Sequence, residues 1–472
     1  MPLLPSLNEL TDELRHIWQI AWPLFIAQIA QMGTGVVDTI MAGHYGDQDL
    51  AAIAVGYNIW LPAYLLVLGI LFANASIVAQ DFGAQKLAKI RAQLPQSMWV
   101  AVALGAFIGP LVWFSSPLMH LLELPATTHE KALAYTRMVA LGIPAVGFFH
   151  SLRFHTQGLG ITKPFAVAST IGFCVNIPLN FAFIYGRWGA PEMGAEGCGI
   201  ATAISMWLSL ILISGYVLYD KNLKPYLPEW RPTAPNWFVI REILVLGVPI
   251  GLTFFLEVGV FSLIALLIAT LGDTAMASHQ IAFNIWDMFY IPMLALGTAM
   301  STRMGHAIGA GESEGVYRAL WVGCFIATVV SLSTTVVLLS VPEIIIALYT
   351  ESEEIRELAI RLIRLAAFFI LIDAIQIIGS FTLRAFKETR FPFLVMVISY
   401  WLVALPLGWW LGFGVADTVG DGAAGFWYAT IAGITVCALL IGLRVRTVLQ
   451  RPLPAAASFE PDNPAGLPDS AL

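Results

Sequence analysis

Residues Pro249–Tyr290 read PIGLTFFLEVGVFSLIALLIATLGDTAMASHQIAFNIWDMFY, two apolar helical runs parted at Leu271-Gly272-Asp273. Glu257 stands near the middle of the first run and Asp287 well inside the second. A carboxylate at bilayer depth is costly to desolvate, so each marks a functional site with a partner by default. The stretch has an echo 249 − 23 = 226 positions earlier, PLFIAQIAQMGTGVVDTIMAGHYGDQDLAAIAVGYNIW, starting at Pro23. Without a gap, Pro23 falls on Pro249, Gly33 on Gly259, Gly46-Asp47 on Gly272-Asp273 and Asn58-Ile59-Trp60 on Asn284-Ile285-Trp286. The register holds to Gly83-Ala84 and Gly309-Ala310, with about 13 identities in about 62 positions against roughly five from an apolar composition alone. Such a repeat predicts two similar halves, an arrangement common among membrane transporters.

Composition sets the class. Of 472 residues, 58% are hydrophobic and 12% charged, with a mean hydropathy of +0.78. Membrane spans of about 20 apolar residues account for this, and a soluble globular fold does not. The expected fold is an all-α integral membrane protein. The four cysteines (Cys174, Cys198, Cys324, Cys437) lie in or at the ends of apolar runs without a CxxC, which reads as packing. Met1 to Thr11 is polar, and the following apolar run is too long for the core of a cleavable signal, so none is expected.

In order, twelve spans are expected. Six run from His16 to Met41, Leu50 to Gln80, Leu94 to Leu118, Ala132 to Phe154, Pro164 to Tyr185 and Gly197 to Tyr219. Six more run from Ile240 to Leu271, Thr274 to Met304, Tyr317 to Val341, Leu358 to Leu383, Pro392 to Phe413 and Ala423 to Leu443. The domain reading is a cytoplasmic segment 1–15, an N-lobe 16–220, a Pro-rich linker 221–239, a C-lobe 240–446 and a disordered tail 447–472. With the N-terminus in the cytoplasm, most Lys and Arg fall in cytoplasmic loops, among them Lys86, Lys89, Arg153, Lys163, Arg231, Arg303, Arg384, Lys387 and Arg444. The opposite loops hold little beyond Lys131, Arg187 and Arg356 and carry acids instead. That asymmetry places both termini in the cytoplasm. Six spans per half is an even number, so the two six-helix bundles run parallel, related by a pseudo-twofold axis along the membrane normal.

The repeat continues at an offset of 392 − 164 = 228, which puts Pro178 on Pro406 and Ala201-Thr202 on Ala429-Thr430. Pro23, Pro178, Pro249 and Pro406 sit in spans, where each removes a backbone donor and bends its helix. Fixed shape and a mobile hinge both remain open for them.

On these residues the chain resembles the multidrug and toxic compound extrusion (MATE) family, most like its NorM-like bacterial branch. The resemblance rests on the Pro23-to-Asp38 first span, Phe255-Leu256-Glu257 in the seventh and Ile372-Asp373-Ala374 in the tenth, and it covers roughly residues 10–447. It implies a V-shaped pair of bundles and secondary active efflux of cationic, lipophilic drugs and dyes by alternating access, driven by inward Na⁺ or H⁺. It also implies no enzyme activity, no cofactor beyond the coupling ion, no nucleic-acid partner and a monomer in the bacterial inner membrane. Within it, Glu257 and Asp373 match a cation site in the second bundle, where Na⁺ is possible, and Tyr290 matches an aromatic facing that cation. Asp38 matches a residue of the first bundle implicated in substrate or proton binding.

The residues themselves leave alternatives. Glu257 and Asp373 either hold the coupling cation or tie helices together as neutral acids. Asp38 either contacts cargo or a proton, or is simply hydrated near the membrane surface. Asp287 is cavity-lining or an interhelical hydrogen-bond partner. Asn176 and Asn180, and Gln280 and Asn284, are interhelical hydrogen-bonding pairs or cargo contacts, each pair sharing a helix face at a spacing of four. His150 and His155, five apart, do not make a helical metal face. A primary pump is excluded by the absence of a GxxxxGK[ST] motif. A lipid-linked precursor flippase is the serious alternative, and a channel stays formally open; the scarcity of cations expected within the spans favours cationic cargo instead.

Overall fold

The computed structural model describes residues 7–120, 124–228 and 233–453. Residues 1–6 of the expected N-terminal segment, Arg231 of the linker and 454–472 of the expected tail lie outside the described residues. Those described form helices with short connections. The N-lobe holds α1 (Leu7–Tyr45), α2 (Asp47–Gly83), α3 (Leu87–Trp113), the short α4 (Ser116–His120), α5 (Ala126–Ala140), α6 (Ile143–Gly158), α7 (Lys163–Tyr185) and α8 (Gly194–Tyr219). The C-lobe holds α9 (Trp237–Ala269), α10 (Asp273–Ala310), α11 (Ser313–Ser340), the short α12 (Pro342–Ala347), α13 (Glu353–Ala385), α14 (Arg390–Gly414) and α15 (Val419–Leu449).

Among the described residues, ten helices are long and apolar enough to cross a membrane, and the α5–α6 pair makes an eleventh if counted as one span. That pair bends by 42° at the Leu141-Gly142 break, where Pro144 has no N–H to extend the ladder backwards. The expected tenth span falls on α13, which is not among those ten and packs among α10, α11 and α15. Outward-facing Phe107, Leu111, Trp321, Phe325, Leu402 and Trp409 are exposed apolar side chains of the kind lipid covers. Between α9 and α10 the chain turns at Gly272, whose φ of +123° lies where side-chain-bearing residues rarely go.

Expected boundaries shift at two places. The first helix starts at Leu7, so residues 7–15 extend α1 rather than forming a separate segment. The eleventh span is not a uniform α-helix. Over Val397–Ala404 and Trp410–Gly414 its turns widen to i→i−5 bonding, with the Leu405 N–H donating to the Tyr400 carbonyl. Pro406 has no N–H, and wider turns let neighbouring groups find partners. Its mate Pro178 lies in α7, which is α-helical throughout, as α1 is through Pro23 and α9 through Pro249.

The lobes meet along α2, α9 and α10, and the contact is nearly two-fold. Gln80 and His306 are repeat mates (80 + 226 = 306), as are Gly83 and Gly309. Gln80 Nε2 donates to the Ala385 carbonyl at the end of α13, 2.7 Å away, and His306 Nε2 bonds the Gly158 carbonyl at the end of α6, also at 2.7 Å. A Cβ on Gly83 would collide with the His306 carbonyl oxygen, and one on Gly309 with that of Gln80. Only glycine lets the two helices approach this closely. Nearby, Gly247 and Gly251 of α9 admit the backbone of α2 around Leu66–Ile70, and Arg303 of α10 grips Glu13 of α1 through two bonds of 2.8 Å. The seal lies at the end of the molecule where α2 finishes and α9 starts.

Candidate functional site

Beyond that seal a cavity of about 390 Å³ lies between the lobes. Its wall is apolar and aromatic (Tyr57, Trp60, Phe72, Phe149, Phe254, Tyr290), with Asp38 from the N-lobe and Asp287 from the C-lobe. A larger hollow of about 520 Å³ sits at the sealed end, lined by Glu13, Arg303, His306 and Arg318 among others. Its best-placed charges, Glu13 and Arg303, neutralise each other.

Asp38 is 5% exposed, so the hydrated reading gives way to a bonded one. Asn180 Nδ2 donates to its Oδ1 at 2.5 Å and Thr202 Oγ1 donates to its Oδ2 at 3.1 Å. Asn180 Nδ2 also donates to Asn176 Oδ1 at 3.0 Å, because i and i+4 on α7 face the same way. The structure therefore joins Asp38, Asn176 and Asn180 and adds Thr202, which sequence reasoning passed over. Its one signal was the Ala-Thr dipeptide shared by both halves. Asp287, by contrast, is half-buried on the cavity wall with no hydrogen bond among the described residues. Gln280 and Asn284 correct an expectation: both are exposed on α10 and bond each other at 3.4 Å rather than a second helix.

In the C-lobe, Asp373 is 3% exposed and accepts a 3.0 Å bond from Trp286 Nε1, linking α13 to α10. Glu257, Asp373 and Tyr290 lie within electrostatic reach of one another, and the Tyr290 ring is 5.4 Å from that of Trp286. Glu257 itself has no hydrogen bond among the described residues. No group of three or more His, Cys, Asp and Glu side chains poised for a metal occurs among them. The arrangement offers two carboxylates and an aromatic face, enough to share a proton or to hold a cation that keeps water or carbonyl ligands.

Arg153 and Arg384, counted among the cytoplasmic-side charges, lie toward the C-terminal ends of α6 and α13 and are each 6% exposed. Those helices run past their expected ends, to Gly158 and Ala385. Aromatic faces receive both guanidinium groups: Phe165 at 3.7 Å for Arg153, and Phe381, Phe254 and Phe72 at 4.6, 5.1 and 5.5 Å for Arg384. Arg384 lies within electrostatic reach of Glu257. His150, also on the cavity wall, meets the Tyr64 hydroxyl at 3.2 Å.

Comparison with known proteins agrees with this geometry. The MatE family pattern matches residues 23–182 and 249–410. Its two segments start 226 and end 410 − 182 = 228 positions apart, the offsets of the internal repeat. The multidrug resistance protein MdtK of Yersinia pseudotuberculosis (serotype O:1b, strain IP 31758) is 37% identical over 445 residues, covering 93% of this chain and 96% of that protein. MdtK of Yersinia enterocolitica (serotype O:8 / biotype 1B) is equally similar, at 37% over 445 residues and the same shares. Among solved structures, a MATE protein in the bent conformation superposes with a TM-score of 0.85 at 19% identity, covering 94% of this chain and 98% of that one. The eukaryotic MATE transporter AtDTX14 gives 0.82 at 18%, covering 93% and 99%. The chain belongs to the MatE family of membrane transporters and is not an enzyme.

Proposed function

We propose that the protein is a secondary active multidrug exporter of a bacterial inner membrane, expelling cationic, lipophilic compounds in exchange for inward Na⁺ or H⁺. One observation carries the reading: a cavity with an apolar wall and one carboxylate from each lobe, shut at one end by a two-fold seal. Apolar walls with a few placed charges bind varied organic cations, and the carboxylates supply electrostatic preference. With the termini cytoplasmic, as the loop charges indicate, the seal closes the cytoplasmic end and this is the outward-open state. Alternating access then needs the seal to open while the far end closes.

Glu257 and Asp373, with Tyr290, form the coupling site. An occupant there removes charge otherwise stranded in a low-dielectric interior, so ion entry and cargo binding bias one two-state equilibrium in opposite senses. Purified protein in liposomes is expected to move a cationic dye in response to an imposed Na⁺ gradient or pH gradient. The gradient that drives it identifies the coupling ion. Dye movement indifferent to both gradients overturns exchange.

A further inference from the structure

The segment that joins the lobes is fastened to one of them. Arg91 Nε of α3 donates to the Pro225 carbonyl at 2.7 Å, and Trp99 Nε1 donates to the Thr233 carbonyl at 2.9 Å. His155 of α6 bonds the Tyr226 carbonyl at 3.3 Å, and Leu223 and Leu227 are buried. Gln96, one turn before Trp99, is buried and uses both ends of its amide. Its Nε2 donates to the Ala234 carbonyl at 3.1 Å, and its Oε1 accepts from the Asn236 N–H at 2.7 Å. Asn236 is the N-cap of α9, its side chain accepting from the Phe238 N–H at 3.0 Å. A helix of the C-lobe therefore begins on the N-lobe. In the other half Val322 stands at the position of Gln96 (96 + 226), so α11 cannot make the same fastening.

Along its length α9 then changes lobes. Gly247 and Gly251 press on the α2 backbone at Leu66–Ile70. Further on, Phe254 faces the Arg384 guanidinium at 5.1 Å, and the Leu256 carbonyl accepts from Trp401 Nε1 at 3.3 Å. Phe261 packs on Trp286 and Tyr400. Residues 237–251 thus lie on the N-lobe and 254–261 within the C-lobe. The early stretch does touch the C-lobe, at the start of α14 and through the 2.8 Å Glu242–Lys387 pair. That pair is exposed to solvent and holds little. Pro249 falls at the change-over and leaves the Val245 carbonyl without its helical partner, which makes this the easiest place in α9 to bend. Glu257 stands beyond it by 257 − 249 = 8 residues, about 12 Å along the axis.

We propose that Gln96 is a positioning residue of the transport cycle, holding residues 237–251 of α9 to the N-lobe in both access states. Lobe movement is then taken up as bending near Pro249, and the bend displaces Glu257. The moving boundary between the lobes lies inside α9 and not in the linker before it. A neutral amide that grips backbone groups keeps its hold whatever ion is bound. The Glu13–Arg303 pair differs, since it joins surfaces that part when the seal opens. The proposal rests on alternating access and adds the element that carries movement of one lobe to the acid pair of the other.

The test replaces the pin by a covalent one. Full-length transporter lacking the four native cysteines and carrying Gln96→Cys with Asn236→Cys is placed in liposomes. Gradient-driven movement of a cationic dye is measured before and after a short bifunctional thiol reagent. Before treatment, movement is expected to be about tenfold below the cysteine-free parent, the worth of two hydrogen bonds. Equilibrium dye binding should stay within about twofold, which a general loss of structure would not allow. Cross-linking should restore movement to within about twofold of the parent. The same reagent across Glu13→Cys and Arg303→Cys is expected to stop movement, because that contact has to part. Should the Gln96 and Asn236 double variant fail to fold, Gln96→Glu and Gln96→Leu serve instead. The first keeps the acceptor for the Asn236 N–H and should lower movement about threefold, the second about tenfold, with dye binding unchanged. Parental movement without cross-linking, or a cross-link at the pin that arrests movement, overturns the proposal. So does movement that survives both cross-links, which removes the contrast. A parent that moves no dye under either gradient defeats exchange itself, a different failure from loss of the pin.

Discussion

The two halves share a backbone plan and keep their acids in different places. In the N-lobe, Asp38 is enclosed by Asn180 and Thr202, with Asn176 behind. The same positions in the C-lobe are Ile264 (38 + 226), Ala404 and Gly408 (176 and 180 + 228) and Thr430 (202 + 228). They line a small apolar pocket or its surroundings, and Thr430 turns its hydroxyl back to the Phe426 carbonyl. The C-lobe keeps Glu257 and Asp373 instead, over Gln31 and Ala145 of the N-lobe. One lobe holds a carboxylate with both oxygens bonded; the other holds two carboxylates with one hydrogen bond, from Trp286, between them. A satisfied acid is a stable fixture, whereas an under-bonded pair is poised to take up a cation. The repeat supplies a shared scaffold, and the two lobes carry their acids in different bonding environments.

The largest expected effect separates those tasks. Glu257→Gln keeps shape and hydrogen-bonding capacity but removes the charge, and gradient-driven dye efflux should fall at least about tenfold with the protein still folded. Asp373→Asn should match it, and the double variant should be little worse, because the two act as one site. Asp38→Asn should impair cargo binding or release while leaving equilibrium cation binding largely intact. Wild-type efflux from Glu257→Gln would move the coupling site to the N-lobe and end the division of labour.

Where the lobes are truly symmetric, substitutions should be equivalent. Gly83→Val and Gly309→Val each place a branched side chain on the partner's backbone, so each should prevent the seal and abolish turnover to a similar degree. Cysteine reactivity at Gln85, beside the seal, reports the opening. A marked inequality would show that the two contacts are not energetic mates.

The Glu13–Arg303 pair has no such counterpart. Arg303→Met leaves Glu13 unpaired in a partly buried place, a loss of up to about 3–5 kcal/mol for a fully buried pair and less here. The expected outcome is a shift toward the opposite access state, read by the same cysteine. Adding Glu13→Gln should recover most of the shift.

The smallest effects test the acid clusters directly. Thr202→Val removes a donor from a carboxylate and should cost about 1.5–3 kcal/mol. Thr430→Val removes only a hydroxyl bonded to its own helix and should cost under about 1 kcal/mol. Unfolding in denaturant of the two purified variants measures the difference, and equal costs would remove the distinction between the clusters.

Much of this was legible in the chain. Hydrophobic run lengths predicted helical passes because a bilayer admits few other structures, and the 226-residue echo predicted paired lobes. Glu257, Asp373 and Asp38 stood out because isolated acids in apolar runs are rare. Thr202 did not, since a threonine is ordinary in a membrane helix and only the approach of α8 to α1 gives it a partner. Arg153 and Arg384 stood out only as cytoplasmic-side charges, because loop counting reads the side of the membrane and not the contacts. Whether a guanidinium leaves the bilayer or turns inward onto Phe165 or Phe381 depends on rings contributed by other helices or other turns.

The sequence by itself therefore determined the class, the repeat and the identity of the charged residues. Those follow from solvent transfer and local periodicity, which are properties of short segments. Only the tertiary structure decided which acids are bonded, where the seal lies and that Arg153 reaches the cavity wall. Each of these depends on the distance between side chains more than a hundred residues apart, such as Asp38 and Asn180 or Gln80 and Ala385. Packing sets such distances, and no local pattern encodes them.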